Sequence, residues 1–385
     1  WSWLQKMTET SGILQKLSKG PVVGDGSVLL TLEKRGYCRA GAWTPEAVIK
    51  YPEAVRQLLR EFVRAGADAI QAPCFNFTEG SWKTNKQNER KQQQYSVEEI
   101  NKAACIMAKE VASEGGALVY ASIGPVSSFV RGENEKETKQ SFEKLLKLYL
   151  KHKVDYFVAE YFAHIEELEI CVEVLKRGNL PVACTMRIGP TGDLNGVSVE
   201  ECAIRMAKTG ADIIGINCLY DPVVALKTMQ RIKSAVDKAG LSPYLMCQPL
   251  GWMCPEVEHH KMGHLALHEF PFALDSRSVN RFEFGQFARK AFELGVKYIG
   301  GCCGTEPHHI RAIAQELQPE RGIDPPVNDM CPQLGFFADA SLSNYKKKYC
   351  RSEADYWKKL VPGTGRMFGP PLSYGFQKPT VWVKS

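Results

Sequence analysis

The chain has 385 residues, 44% of them hydrophobic and 24% charged, with a formal net charge of +6. That length can bury one large barrel core or two domains. The modest charge, densest at Lys346-Lys347-Lys348, lacks the footprint of a nucleic-acid binder. No apolar run approaches the ~18 residues of a membrane span. Thirteen cysteines, many in apolar segments such as those around Cys105, Cys171 and Cys202, read as free thiols of a reducing, cytoplasmic compartment. The sequence opens at Trp1 rather than Met, which leaves room for a trimmed N-terminus.

Strands are predicted in chain order at 22–26, 67–75, 117–125, 154–162, 180–188, 211–218, 244–250 and 296–304. Amphipathic helical stretches alternate with them at 44–65, 97–113, 136–153, 165–176, 199–208, 223–238 and 282–293. Gly66, Gly210 and Gly295 each close a helix directly before a strand, which is C-cap chemistry repeated at one kind of joint. Thr44-Pro45-Glu46 and Ser198-Val199-Glu200-Glu201 have the character of helix starts. Near-continuous apolar strands in β-then-α order predict an α/β fold, a (β/α)8 TIM barrel spanning 1–318. An open doubly wound sheet would carry a three-glycine phosphate turn after its first strand, and Gly24-Asp25-Gly26-Ser27 lacks that spacing. Beyond 318 the rhythm stops. Residues 319–385 are proline-broken and aromatic-rich (Phe336-Phe337, Tyr356-Trp357, Trp382), a composition expected of an oligomerisation arm rather than a disordered tail.

In such a barrel the chemistry sits at strand C-termini and in the loops after them. Those positions hold Asp25, Cys74-Phe75-Asn76, Glu160-Tyr161, Cys218 and Cys302-Cys303. Three thiolates from two strand ends would leave one position of a tetrahedral zinc open, the arrangement of a catalytic site. The alternative for Cys218 is an ordinary core thiol, and the Gly300-Gly301 and Gly304 backbone could instead grip a phosphate. Asp25 and Glu160 could hold an ammonium by charge-assisted hydrogen bonds. Their alternatives are a helix N-cap and a salt-bridged rim residue. Trp43, Phe75, Phe77 and Tyr161 are core or rim aromatics that could also wrap an onium group. Cys184 and Cys247 read as core. His308-His309 read as the opening of the last helix, and His259-His260 and His264 as solvent-exposed loop residues.

Several segments carry a resemblance: Leu32-Glu33-Lys34-Arg35-Gly36-Tyr37, Trp43-Thr44-Pro45-Glu46-Ala47, Ala159-Glu160-Tyr161-Phe162, Gly215-Ile216-Asn217-Cys218 and Gly300-Gly301-Cys302-Cys303-Gly304. With them the chain resembles the betaine-using branch of the zinc-dependent homocysteine methyltransferases over nine tenths of its length. The resemblance implies Cys218, Cys302 and Cys303 as zinc ligands and Asp25, Gly26 and Glu160 around the amino-acid group of homocysteine. It implies Trp43 and Tyr161 around the methyl donor, with Tyr161 able to fill the fourth zinc position when substrate is absent. A homo-oligomer, dimer or tetramer, is implied as well. Two departures stand out. Betaine-using members carry a Tyr where this chain has Asn76, in the run Gln71-Ala72-Pro73-Cys74-Phe75-Asn76, and Arg187 stands in place of a Cys. The expected reaction is methyl transfer from betaine to homocysteine, giving methionine and dimethylglycine. S-methylmethionine or another sulfonium is the alternative donor, and an inactive oligomeric scaffold is the non-enzymatic alternative.

Overall fold

A computed structural model describes residues 12–37, 46–75, 95–271 and 273–323. Eight parallel strands run β1 (Val22–Val23), β2 (Ala69–Gln71), β3 (Leu118–Ile123), β4 (Tyr156–Phe162), β5 (Val182–Met186), β6 (Ile213–Asn217), β7 (Tyr244–Gln248) and β8 (Val296–Ile299). Their spatial order is β1-β8-β7-β6-β5-β4-β3-β2. The Asp68 N–H donates to the Val23 carbonyl at 2.7 Å and bridges the remaining β1/β2 seam. The predicted (β/α)8 barrel is therefore the observed fold.

Local chemistry explains both the elements and where they depart from expectation. Gly66, Gly210 and Gly295 all take left-handed backbone angles at the predicted joints. Ser198 caps its helix by accepting from the Glu201 N–H at 3.1 Å. The stretch 44–65 holds two helices, Ala47–Lys50 and Pro52–Ala65, because the ring of Pro52 drives Tyr51 out of the helical region to φ −135°. The predicted strand 67–75 shrinks to Ala69–Gln71, since Pro73 has no N–H to give a ladder. Asp68, Asp155 and Asp212 stand just ahead of their strands. Their carboxylates accept from the N–H groups of Val23, Val119 and Val182 at 2.9, 2.6 and 2.9 Å, pinning the start of each neighbouring strand.

The barrel interior is layered along its axis. Ile13 and Leu17 of an unpredicted N-terminal helix, Ile13–Lys19, pack in one cluster with the inward side chains of the strands. Buried Tyr120, Tyr156 and Tyr298 belong to that cluster. The Tyr156 and Tyr298 hydroxyls lie 3.1 Å apart, and the Tyr120 hydroxyl reaches Asp25 at 2.8 Å. Buried phenols need such partners. The tyrosine layer is thus apolar on the core side and polar toward the strand C-termini. A larger core lies between strands and helices, and Cys184 and Cys247 are buried there as predicted. The short helix Gln318–Arg321 packs on the opposite end, where Arg321 pairs with Asp68 at 3.0 Å. Residues 324–385 lie outside the described residues.

Candidate active site

The C-terminal mouth of the barrel is built by irregularities in β4 and β6. In β4 the register slips between Ala159 and Phe162, so one extra residue is accommodated. Such bulges re-aim side chains. Here Tyr161 takes a left-handed φ of 71°, and its N–H donates to the Asn217 Oδ1 at 2.9 Å. Glu160 stays buried in the barrel as a result. At the end of β6, Cys218 and Leu219 also have positive φ, which bends the chain and presents the Cys218 thiol at the mouth.

Above the tyrosines lies a continuous polar layer. The Asp25 carboxyl accepts from the Gln71 N–H at 2.7 Å and from the Tyr120 hydroxyl at 2.8 Å. Glu160 accepts at one oxygen from the Ser122 hydroxyl and from the Gln71 side-chain amide at 2.9 Å, and at the other from the Asn217 amide at 2.9 Å. Asn217 in turn accepts from the Thr185 hydroxyl at 2.9 Å. Among the described residues no lysine or arginine pairs with Asp25 or Glu160. Burial outweighs the hydrogen bonds on both, pushing each carboxyl up to about 7. Neither structural alternative from the sequence holds. Asp25 is not a cap, because the helix Val28–Lys34 starts after Ser27, and Glu160 forms no rim salt bridge.

Cys218, Cys302 and Cys303 come together, with their sulfurs all within 4.8 Å of one another. The Cys302 N–H donates to the Pro249 carbonyl at 2.8 Å and the Gly251 N–H to the Cys303 carbonyl at 2.8 Å, tying the loop after β8 to the loop after β7. Gly304 allows this turn. Its φ is 78°, and a Cβ there would sit 2.7 Å from the Trp252 ring. The Gly301 N–H donates to the Asp25 carbonyl at 3.0 Å, so the thiols and the carboxyl pair share one scaffold. Cys218 donates to Cys303 at 3.7 Å. Hydrogen bonds from Cys218 and Cys302 hold the Cys303 thiol well below its usual range, while bonding within the cluster and burial push Cys218 and Cys302 well above it. A bound cation would favour the thiolate form of all three. The geometry fits one. Four ligands at about 2.3 Å from a tetrahedral metal are about 3.8 Å apart, close to the 3.7 Å observed.

Phe75 packs edge-on to Tyr161, with ring centroids 6.3 Å apart, and burial raises the Tyr161 phenol above its usual range. Trp43, Asn76 and Phe77 lie outside the described residues. Gly26 abuts the loop after β8, where a Cβ would meet the Thr305 carbonyl at 2.5 Å. His309 lies in the opening turn of the helix after β8, Pro307–Glu316, as predicted: its ring nitrogen accepts from the Glu306 N–H at 2.9 Å. The expectation for His264 fails. It is only 3% exposed and packs on Trp252, with ring centroids 5.6 Å apart. The loop after β7 folds across the mouth, and its apolar residues cluster with Cys218. Gln71, Tyr120, Ser122, Thr185 and Asn217 were not singled out from the sequence. The only sequence signal for them is a polar residue inside an otherwise apolar strand.

The fold and the site define a (β/α)8-barrel enzyme whose mouth carries a three-thiol centre fit for a metal ion. Residues 22–317 match the model of the homocysteine S-methyltransferase family, and the chain belongs to that family. It is 45% identical to betaine–homocysteine S-methyltransferase 1 of Danio rerio over 94% of this chain and 89% of that one. To an S-methylmethionine–homocysteine S-methyltransferase of Pongo abelii it is also 45% identical, over 94% and 96%. A crystal structure of a homocysteine methyltransferase from Escherichia coli in its metallated form shares the fold, with a TM-score of 0.56 at 16% identity over 76% of this chain and 95% of that one.

Proposed function

We propose that the chain transfers a methyl group from betaine to homocysteine, giving methionine and dimethylglycine, with a zinc ion held by Cys218, Cys302 and Cys303. The observation that carries this is a buried pair of carboxyls, Asp25 and Glu160, with no cationic side chain paired to them among the described residues, on the same scaffold as three converging thiols. A ligand complementary to both has an ammonium at one end and a thiol at the other, which describes homocysteine. When bound, zinc would supply the Lewis acidity that keeps such a thiol ionised at neutral pH.

The residues of the chain do the positioning. Asp25 and Glu160 take the ammonium by charge-assisted hydrogen bonds, and Gly26, whose lack of a Cβ lets it lie against the Thr305 carbonyl, seats Asp25 on the loop after β8. Phe75 and Tyr161 enclose the onium end of the donor, and the resemblance to the family assigns Trp43 and Asn76, which lie outside the described residues, to the same pocket. The sulfur lone pair forms the new S–CH3 bond as the N–CH3 bond breaks, and its electrons leave with the neutral amine. Alignment of the two substrates and exclusion of water by the folded-over loop after β7 supply much of the acceleration.

A sulfonium donor such as S-methylmethionine is the second reading. Equal identity to relatives named for either donor, and Asn76 in the donor run, favour keeping it. The 319–385 segment is read as an arm that assembles a dimer or homotetramer, and the cytoplasm as the compartment. Among the described residues no helix is long and apolar enough to cross a membrane. The test is metal analysis together with methionine formation over a donor panel. About one zinc per chain and turnover of betaine bear the proposal out. Turnover confined to sulfonium donors selects the second reading, and no methionine from any donor refutes both.

A further inference from the structure

Arg187 is the first residue after β5, between β4, which carries Glu160 and Tyr161, and β6, which leads into Cys218. Its backbone N–H donates to the Phe162 carbonyl at 2.9 Å, which fixes it at the mouth. Its guanidinium carbon lies 4.9 Å from the centroid of the Tyr161 ring. Tyr161 is in turn the aromatic that contacts Phe75 and packs on the cluster containing Cys218, Cys302 and Cys303. A permanent positive charge therefore overhangs the pocket where the donor is placed.

Among the described residues that charge has no carboxylate paired with it. Other sheltered arginines are paired: Arg321 with Asp68 at 3.0 Å, Arg277 with Glu256 and Glu269 at 2.6 and 2.9 Å, and Arg205 with Glu169 at 2.5 Å. Arg187 is half-buried, its guanidinium has no ion-pair or hydrogen-bond partner among the described residues, and its Nε is shut off from solvent. Glu167 feels its field, yet uses its own Oε1 to accept from the Val126 N–H at 2.8 Å. A buried guanidinium N–H left unpaired is costly, and such orphans in native proteins call for a ligand. The group that best satisfies a guanidinium fork is a carboxylate.

We propose that Arg187 is a specificity-determining residue that receives the carboxylate of the methyl donor. The assignment rests on the methyl-transfer reading above and extends it. Aromatic faces recognise only the cationic end of an onium compound. A fixed guanidinium beside them separates zwitterionic donors, whose carboxylate it binds, from purely cationic ones, which it repels. The substrate class is thus an onium acid: betaine, a dimethylsulfonio acid or S-methylmethionine, but not a tetraalkylammonium or trialkylsulfonium ion.

The test compares dimethylsulfonioacetate with trimethylsulfonium, two donors that both release a thioether and differ by the carboxylate, on the zinc-loaded full-length protein. Arg187→Met should raise KM for dimethylsulfonioacetate and betaine about 10–100-fold, the range for losing a charge-assisted pair. KM for trimethylsulfonium should fall or hold, and KM for homocysteine should stay within about threefold, less than the loss of any charged contact. Arg187→Lys keeps the charge without the fork and should give an intermediate loss. It also decides the question if the Met variant melts early. Equal changes for the two donors would mean that Arg187 only stacks on Tyr161, and a rise confined to homocysteine would assign it to the acceptor; either overturns the proposal. A wild-type protein inactive with every donor overturns the methyl-transfer reading and this assignment together, whereas an active wild type whose variants keep the donor ratio overturns this assignment alone.

Discussion

Replacing Asn217 with Ala removes the side chain that joins the carboxyl layer to the strained residue of β4. Asn217 is 2% exposed and makes three hydrogen bonds of 2.9 Å: to Glu160, from Thr185 and from the Tyr161 N–H. None of these partners has another described group to replace it at that position. With about 1 kcal/mol net for each bond, the loss is about 3 kcal/mol. An unfolding entropy of about 2.1 cal/mol/K per residue, over a domain of about 300 residues, converts this to a fall in Tm of about 4–5 °C. The left-handed Tyr161, a conformation costing about 1–3 kcal/mol, would also lose its tether and relax, turning Glu160 and Tyr161 out of place. KM for homocysteine should then rise about tenfold, as expected for about 1.4 kcal/mol of lost orientation. Calorimetry of the zinc-loaded protein and steady-state kinetics read both quantities. A variant that melts within about 1 °C of wild type, well under the shift for one lost hydrogen bond per partner, with unchanged KM for homocysteine, would refute the role given to this network.

Cys303→Ala should lower bound zinc far below one per chain and abolish methionine formation while the barrel keeps its circular dichroism; full zinc and activity would remove Cys303 from the ligand set. Burial lifts Asp25 and Glu160 to about 7, so both lose protons as pH rises through that value, and binding of methionine, which has the ammonium but no thiol, should tighten between pH 6 and 8. Titration calorimetry should show that tightening flattened in Asp25→Asn, and a flat wild-type profile contradicts the ammonium role. A chain ended after Ile323 keeps the Arg321–Asp68 pair and should sediment as a smaller species than the full chain; equal masses would argue against an assembling arm. Asn76→Tyr should shift the donor ratio toward betaine in a competition assay, and an unchanged ratio would mean that residue 76 does not shape the donor pocket.

The sequence alone was enough for the barrel and for the three thiols at its mouth, because both are written locally. Strand and helix alternate in hydrophobic period, Gly66, Gly210 and Gly295 end helices by their own backbone freedom, and Cys302-Cys303 lie among glycines at a strand end. Once the topology brings β6 beside the loop after β8, the three thiols meet. What surrounds them was decided only by tertiary packing. The slip in β4 that buries Glu160 and turns Tyr161 is a misfit between strands, so neither strand's sequence reveals it. Ser122, Asn217 and Gln71 bind Glu160 from 38, 57 and 89 positions away, and His264 is buried by a loop that folds back over the mouth. Arg187 reads in sequence as one more charge after a strand. Only the arrangement of its neighbours leaves it, among the described residues, without a paired carboxylate, because ion pairing depends on which distant side chains arrive within reach.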